Sequence, residues 1–353
     1  MLFYQTVRRG ATTLSLAIAG LLALPILWVA SSVLQPAGDA WRHIASTVLP
    51  LYVSNTALLL ALVACGVISI GVVSAWLVAS YRFPGARLLE WALVLPLAMP
   101  AYVMAYAYTD WLQFAGPVQG AVRALTGWQA REYWFPEIRS LGGGAAVLSL
   151  ALYPYVYLIA RTAFRDLPRS ALEAGRLAGH PAWRNFFRVA LPLARPAIAA
   201  GTALALMETL ADFGTVSYFA LEVFTTGIFK AWLSMGDGVA AAQLSSGLLA
   251  FVLLVLALER ATRGRAAYYG AALAKPVPPQ PLRGARAALA CAACAMPVLL
   301  GFALPAAILL RLALGDPEAR WGARLLGLVG NSFTIAGVTA VAGVALAVTM
   351  AYA

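Results

Sequence analysis

Apolar positions along the chain gather into long unbroken runs, separated by short polar, basic or Pro/Gly-rich stretches. The runs lie near 12–34, 53–79, 89–112, 143–164, 194–214, 240–258, 287–313 and 327–353. Each is close to or above the roughly 20 residues that carry a helix across a bilayer. The short alternating segments of a membrane barrel do not occur. The pattern predicts an all-α, polytopic helical membrane protein with about eight transmembrane helices.

Composition agrees and changes little: 62% of residues are hydrophobic and 11% are charged, far from soluble norms. Charge changes more. A net +11 invites a nucleic-acid reading, but its placement argues otherwise. With the N-terminus in the cytoplasm, inward loops carry Arg8, Arg9, Arg82, Arg87, seven arginines from Arg161 to Arg195, and six basic residues from Arg260 to Arg286. Outward loops hold most of the acids, among them Asp39, Asp110, Glu132, Glu137, Glu222 and Asp237. This asymmetry is the positive-inside pattern. It speaks for membrane topology and against a nucleic-acid partner. The first run follows Arg8-Arg9 and ends near a tolerable cleavage site at Ala30-Ser31, yet it is longer than a usual signal core, so an uncleaved helix is expected.

Cys291-Ala-Ala-Cys294 has redox spacing but lies in an alanine-rich apolar run, where small residues packing a helix interface explain it better. His43 and His180, the only histidines, are far apart, so no His-Glu-x-x-His zinc site exists. Lys230 and Lys275 are the only lysines, and neither sits in a phosphate-cradling glycine loop. An enzyme is not expected, nor is any cofactor or metal motif visible.

The stretch Ser54–Tyr81 resembles Gly330–Ala353 at a constant offset: Asn55-Thr56 matches Asn331-Ser332, and Ala75-Trp76 matches Ala351-Tyr352. Arg8-Arg9 stands beside Arg283 and Arg286 at about that offset. An internal repeat of the kind found in transporters is expected. Residues 1–258 form a first repeat of about six helices, 259–286 a basic Gly/Pro-rich cytoplasmic linker, and 287–353 the start of a second repeat. The second copy reaches Ala353 within an apolar run, which suggests a parent chain longer by about four helices.

One segment, 165–192, interrupts the apolar pattern. Ser170-Ala-Leu-Glu173 has capping-box spacing, predicting a short helix from about Ala171. Gly179 suits a left-handed close, and His180-Pro181 a fresh start. The second piece places Trp183, Phe186, Phe187 and Ala190 on one face, and Pro192 and Pro196 mark re-entry into the membrane. A helix-turn-helix at the cytoplasmic surface is predicted.

The spacing Glu-Ala-Ala, three residues, Gly, nine residues, Ile, one residue, Leu-Pro is the signature of ABC importer permeases. This segment resembles it at Glu173, Ala174, Gly175, Gly179, Val189, Leu191 and Pro192, with Gly175 in place of the second Ala and Val189 in place of Ile. The resemblance implies a type I ABC importer permease fold in a bacterial cytoplasmic (inner) membrane. It implies that the short helix docks into a groove on a separate ATP-binding subunit working as a dimer. A periplasmic or extracellular substrate-binding protein is a further implied partner, as is a second permease repeat or subunit. Over nearly the whole first repeat, the stretches 95–120 and 208–237 look most like the ferric-iron group of fused two-repeat permeases. Thiamine, polyamine, phosphonate and sulfate permeases share the broader pattern. An ion-coupled secondary transporter would also show repeats, but not the signature segment.

Glu208 and Asp212 are four apart, hence on one helical face, and Glu208 lies about 12 residues or roughly 18 Å beyond Pro196. Carboxylates and phenols suit a hard cation, so these acids, with Tyr102, Tyr106 and Tyr108, are candidates for a translocation pathway. The competing reading is that the acids hydrogen-bond a broken helix near Gly214. The outer loop from Phe114 to Leu141, with Trp128, Tyr133, Trp134 and Phe135, is a candidate contact for a substrate-delivering protein.

Overall fold

The computed structural model describes residues 2–36, 38–129, 132–177, 179, 181–263, 279–315 and 322–352. It divides into two compact units, Met1–Pro36 with Leu310–Ala353, and Ala37–Leu309. Among the described residues, seven helices are long and apolar enough to cross a membrane, or eight if one bent pair counts as a span.

The smaller unit holds α1 (Leu2–Ser31), and the larger begins with α2 (Asp39–Thr47) and α3 (Leu49–Ser80). The chain then makes a short strand β1 (Tyr81–Arg82) and helix α4 (Ala86–Ala92). A 3-10 turn at Leu95–Ala98 leads to α5 (Ala101–Leu112), followed by α6 (Pro117–Thr126). The straight third span expected at 89–112 is not formed, because the helical path bends by 91° between Ala98 and Ala101. Two prolines force this. Pro96 enters the 3-10 turn, and Met99, preceding Pro100, is extended at ψ 117°.

Helix α7 (Leu141–Arg165) runs through the centre of the larger unit. A Cβ on Gly71 of α3 would lie 2.8 Å from the Val156 Cβ, and one on Gly201 would lie 2.8 Å from the Val156 Cα. Glycine therefore lets two neighbours close on the same turn of α7, as small residues do at membrane helix interfaces. Tyr153 and Tyr157 of α7 are wholly buried there.

Beyond α7 come α8 (Arg169–Leu177), α9 (Ala182–Asn185), a π-turn at Phe186–Ala190 and α10 (Leu191–Ala211). Next are α11 (Gly214–Tyr218), α12 (Phe224–Phe229) and α13 (Gly238–Arg263). Of the predicted linker, residues 264–278 lie outside the described residues. Its end forms strand β2 (Gln280–Pro281), which pairs in parallel with β1, the Leu282 N–H donating to the Arg82 carbonyl at 2.8 Å. Helix α14 (Ala285–Val298) follows, then a second π-turn at Leu299–Ala303 and α15 (Leu304–Gly315). Cys294 of α14 is buried in the main core cluster. In the smaller unit α16 (Ala323–Tyr352) packs on α1.

These pairings place one set of helix ends together: the close of α3, the linker end at 279–282 and the elbow from α8 to α10. The opposite end carries the start of α3, the loop after α6, and α11 to α12. There the Asn55 side chain donates to the Glu222 carbonyl at 2.9 Å, and the Phe224 N–H donates to Thr56 Oγ1 at 3.2 Å.

Candidate functional site

At the basic end, α7 reaches Arg165 and the chain turns through Leu167, which is buried, into α8. Helix α8 begins at Arg169, about a turn's fraction earlier than the capping-box spacing suggested. Its apolar Leu172 is buried while Glu173 is exposed. Ala174 lies in α8, but its side chain is outside the described residues, as are Ala178 and His180. Gly179 has φ +74°, the left-handed turn expected of it. Pro181 then sits as the N-cap of α9, with extended backbone.

Asn185, the last residue of α9, closes the elbow. It is 5% exposed, and its Nδ2 donates to the Leu172 carbonyl of α8 at 3.0 Å. Its Oδ1 lies where a side chain on residue 175 would go: a Cβ on Gly175 would stand 2.1 Å from it. Gly175 is thus buried beneath the Asn185 amide. Sequence reasoning singled out Gly175 but missed Asn185, although a lone amide beside the aromatic pair Phe186-Phe187 was the available signal.

The prolines expected to mark re-entry into the membrane do not interrupt the backbone. From Ala182 the helix runs to Ala211 without a gap, so Pro192 does not start a new segment. The π-turn explains how. The Leu191 N–H bonds back five residues to the Phe186 carbonyl. The next residue is Pro192, which has no N–H, so the return to α-helical bonding falls where a bond is missing anyway. The same arrangement recurs at Leu299–Ala303, where the Leu304 N–H bonds to the Leu299 carbonyl and Pro305 follows.

Val189 and Leu191 are half-buried in this turn, and Pro192 is exposed. The predicted aromatic face divides. Phe186 packs on Trp76 of α3 at 5.0 Å and on Phe164 of α7 at 6.2 Å, and Ala190 is fully buried. Trp183 and Phe187 point out, 62% and 59% exposed. Glu90 of α4 fastens the same end, pairing with Arg161 and, at 3.0 Å, with Arg165, while the Tyr157 hydroxyl donates to its carbonyl at 2.8 Å. Sequence reasoning counted those arginines as topology alone and missed Glu90.

At the far end of α10, Glu208 and Asp212 share a cavity of about 390 Å³ with Leu97, Pro100, Leu152 and Tyr155. Glu208 is exposed. Asp212 does a second job: its Oδ1 accepts from the Thr215 and Val216 N–H groups at 2.8 and 3.3 Å, and its Oδ2 from Thr215 Oγ1 at 3.1 Å. It caps α11, as the broken-helix reading held. Tyr102 and Tyr106 of α5 lie near, Tyr102 beneath Gly214 and Tyr106 edge-on to Tyr218 at 6.2 Å. Tyr108 leaves the group. It is buried, and its hydroxyl donates to the Leu300 carbonyl at 2.5 Å.

Among the described residues of the loop after α6, side chains are tied together. The Tyr133 hydroxyl donates to Gln119 Oε1 at 2.9 Å and accepts from Arg123 at 3.0 Å, and its ring stacks on Trp128. Trp134 is 87% exposed.

The larger unit is thus a polytopic helical bundle with a reinforced elbow at its basic end and two acids at the far end of α10. The profile of the family described as binding-protein-dependent transport system inner membrane component matches residues 67–263, and the chain belongs to that family. It is 30% identical over 216 residues to the Fe(3+)-transport system permease protein FbpB 2 of Haemophilus influenzae, covering 61% of this chain and 38% of that one. It is 30% identical to the sulfate transport system permease protein CysT of Escherichia coli, covering 53% and 66% of the two chains. The molybdenum transport system permease protein ModB of Escherichia coli is 31% identical, with coverage of 50% and 72%. A solved bacterial ABC transporter involved in the import of the acidic polysaccharide alginate shares the fold, with a TM-score of 0.57 at 14% identity, covering 76% of this chain and 100% of that one. The match to the iron permease thus spans well under half of that relative's length.

Proposed function

We propose that this chain is the permease of an ATP-driven importer of ferric iron, coupled to a separate ATPase through residues 165–192. The observation that carries the reading is the unbroken helix from Ala182 to Ala211, which joins the elbow to the acids at its other end. Force passed from α8 to Ala182 then reaches Glu208 along one continuous helix. The exposed Leu177, Trp183 and Phe187 give the elbow an apolar surface for the partner to grip.

The relatives carry iron, sulfate and molybdenum by name. The cavity chemistry favours a cation among these. Two carboxylates beside one cavity repel an oxyanion and offer hard oxygen ligands to Fe(III). Asp212 keeps its capping bonds and serves as a fixed negative end, whereas Glu208 is free to reach the substrate. The basic end faces the cytoplasm, with the N-terminus inside. The Trp128–Phe135 cap receives a substrate-binding protein, and residues 1–258, 259–286 and 287–353 serve as first repeat, linker and the opening of a second repeat.

In the assembled transporter, Glu173→Lys or Gly179→Asp should lower iron uptake while ATP hydrolysis and membrane insertion persist. Undiminished uptake in both variants removes the docking role. Accumulation of labelled molybdate or sulfate, with none of iron, overturns the substrate.

A further inference from the structure

We infer that Asn185 is a positioning residue for coupling: with Gly175 it forms a lock that sets the angle between α8 and the rod that α9 begins. The inference rests on the docking role of α8 proposed above, but its geometry stands independently.

Three features of the pair go together. Asn185 is 5% exposed, so its amide is withdrawn from solvent, where an unmade hydrogen bond is costly. Its Nδ2 takes the Leu172 carbonyl, a mid-helix acceptor of α8, at 3.0 Å. Its Oδ1 has no hydrogen-bond partner and rests over Gly175, at the place a Cβ would fill. The amide is therefore threaded between two residues of α8 only three apart, which α-helical geometry puts on one face. An alanine at 175 would meet Oδ1 at 2.1 Å and drive the amide out, taking the hydrogen bond with it. Glycine at this position, where the importer signature has alanine, is thus the counterpart of an asparagine ten residues on.

The position of the lock matters. Asn185 is the last residue before the π-turn at Phe186–Ala190, and Phe186 is anchored on Trp76 and Phe164. A wide turn is a natural place for a helix to flex. The aromatic cluster fixes it on the bundle side, and the Asn185 amide fixes it on the α8 side. With the amide gone, α8 swings at Gly179 while α10 stays still, and a push on α8 is lost in the joint.

The test uses the complete transporter in nanodiscs, with Cys65, Cys291 and Cys294 replaced by alanine. Spin labels at Ser170→Cys and Leu193→Cys, both exposed, report the distance from α8 to α10. Asn185→Ala, Asn185→Asp and Gly175→Ala should each broaden that distance distribution, and iron taken up per ATP hydrolysed should fall by about tenfold. Asn185→Asp keeps the shape but sets a carboxylate oxygen, ionised and acceptor-only, against the Leu172 carbonyl, so it breaks the bond without filling the space above Gly175 and reads the lock if Gly175→Ala fails to accumulate. In the Asn185→Ala background, adding Gly175→Ala should cost less than about twofold more, since nothing remains to displace. An unchanged distribution in Asn185→Asp overturns the lock. A broadened distribution with an unchanged uptake-to-hydrolysis ratio leaves the bond as structure only and overturns its part in coupling. Additive losses in the double variant overturn the pairing with Gly175.

Discussion

The two ends of α10 solve opposite problems. At the basic end the chain carries two prolines, Pro192 and Pro196, and still keeps one helix, because a π-turn absorbs the first of them and aromatic rings from α3 and α7 hold that turn. At the acidic end there is no proline, yet the helix stops at Asp212 (ψ 117°) and restarts two residues later as α11, with the Asp212 carboxylate as cap. Proline content alone would have put the break at the wrong end. What decides is whether neighbouring groups take up the backbone's unpaired donors and acceptors. One end is built to transmit, and the other to turn the chain around a cavity.

That contrast breaks most readily at the basic end. Glu90→Ala leaves the Arg161 and Arg165 guanidinium groups without their carboxylate, and Arg161 is largely buried. Removing one partner of such a pair costs about 3 kcal/mol. Thermal unfolding of the purified permease should show a large drop in Tm. A shift within error would mean that solvent or lipid headgroups replace Glu90, and that the end is held by its rings alone.

The acidic end is sharpened by a pair of substitutions. Asp212→Ala removes the cap of α11 and should cost about 1.5 kcal/mol, whereas Asp212→Asn keeps an acceptor for the Thr215 and Val216 N–H groups and should cost less than half of that. Iron uptake then separates the two acids. Glu208→Gln should abolish uptake with little loss of stability, and Asp212→Asn should weaken it. Wild-type uptake by Glu208→Gln would make the acids structural. The smallest effect belongs to the elbow turn. Gly179 has φ +74° and open space around it, so Gly179→Ala should cost about 1 kcal/mol from backbone strain alone, and Gly179→Asn less. Equal melting points for all three would show that the turn relaxes.

Much of this was legible in the sequence, for physical reasons. Seven of the eight apolar runs appear as continuous helical spans because hydrocarbon length and backbone satisfaction leave a helix no alternative. The run at 89–112 failed because hydropathy sees Pro96 and Pro100 as apolar while the backbone cannot continue through both. Gly179 was readable because few residues tolerate its φ. That the second piece of the elbow runs on into α10 was not, since a π-turn leaves no mark in periodicity. Asn185 and Glu90 were missed for a shared reason. Each acts through a partner remote in sequence or across a turn, Leu172 for one and Arg161 and Arg165 for the other. Asp212 was read both ways, and its capping bonds show why a carboxylate four residues after another need not share its task. The Asn55-Thr56 pair fastens the start of α3 to the backbone at 222 and 224, a task that its partners, remote in sequence, kept out of view.

The pairing of α1 with α16 has a consequence for how the protein is made. Synthesis proceeds from the N-terminus, and the helix that α1 rests on is emitted last of those described. Throughout that interval α1 must reside among lipids with no protein neighbour of its own unit. Its apolar stretch Ser15–Leu34, with a mean hydropathy of 2.2, is suited to such a wait. Polar substitutions there would be felt first as failed insertion during translation, before any question of transport arises.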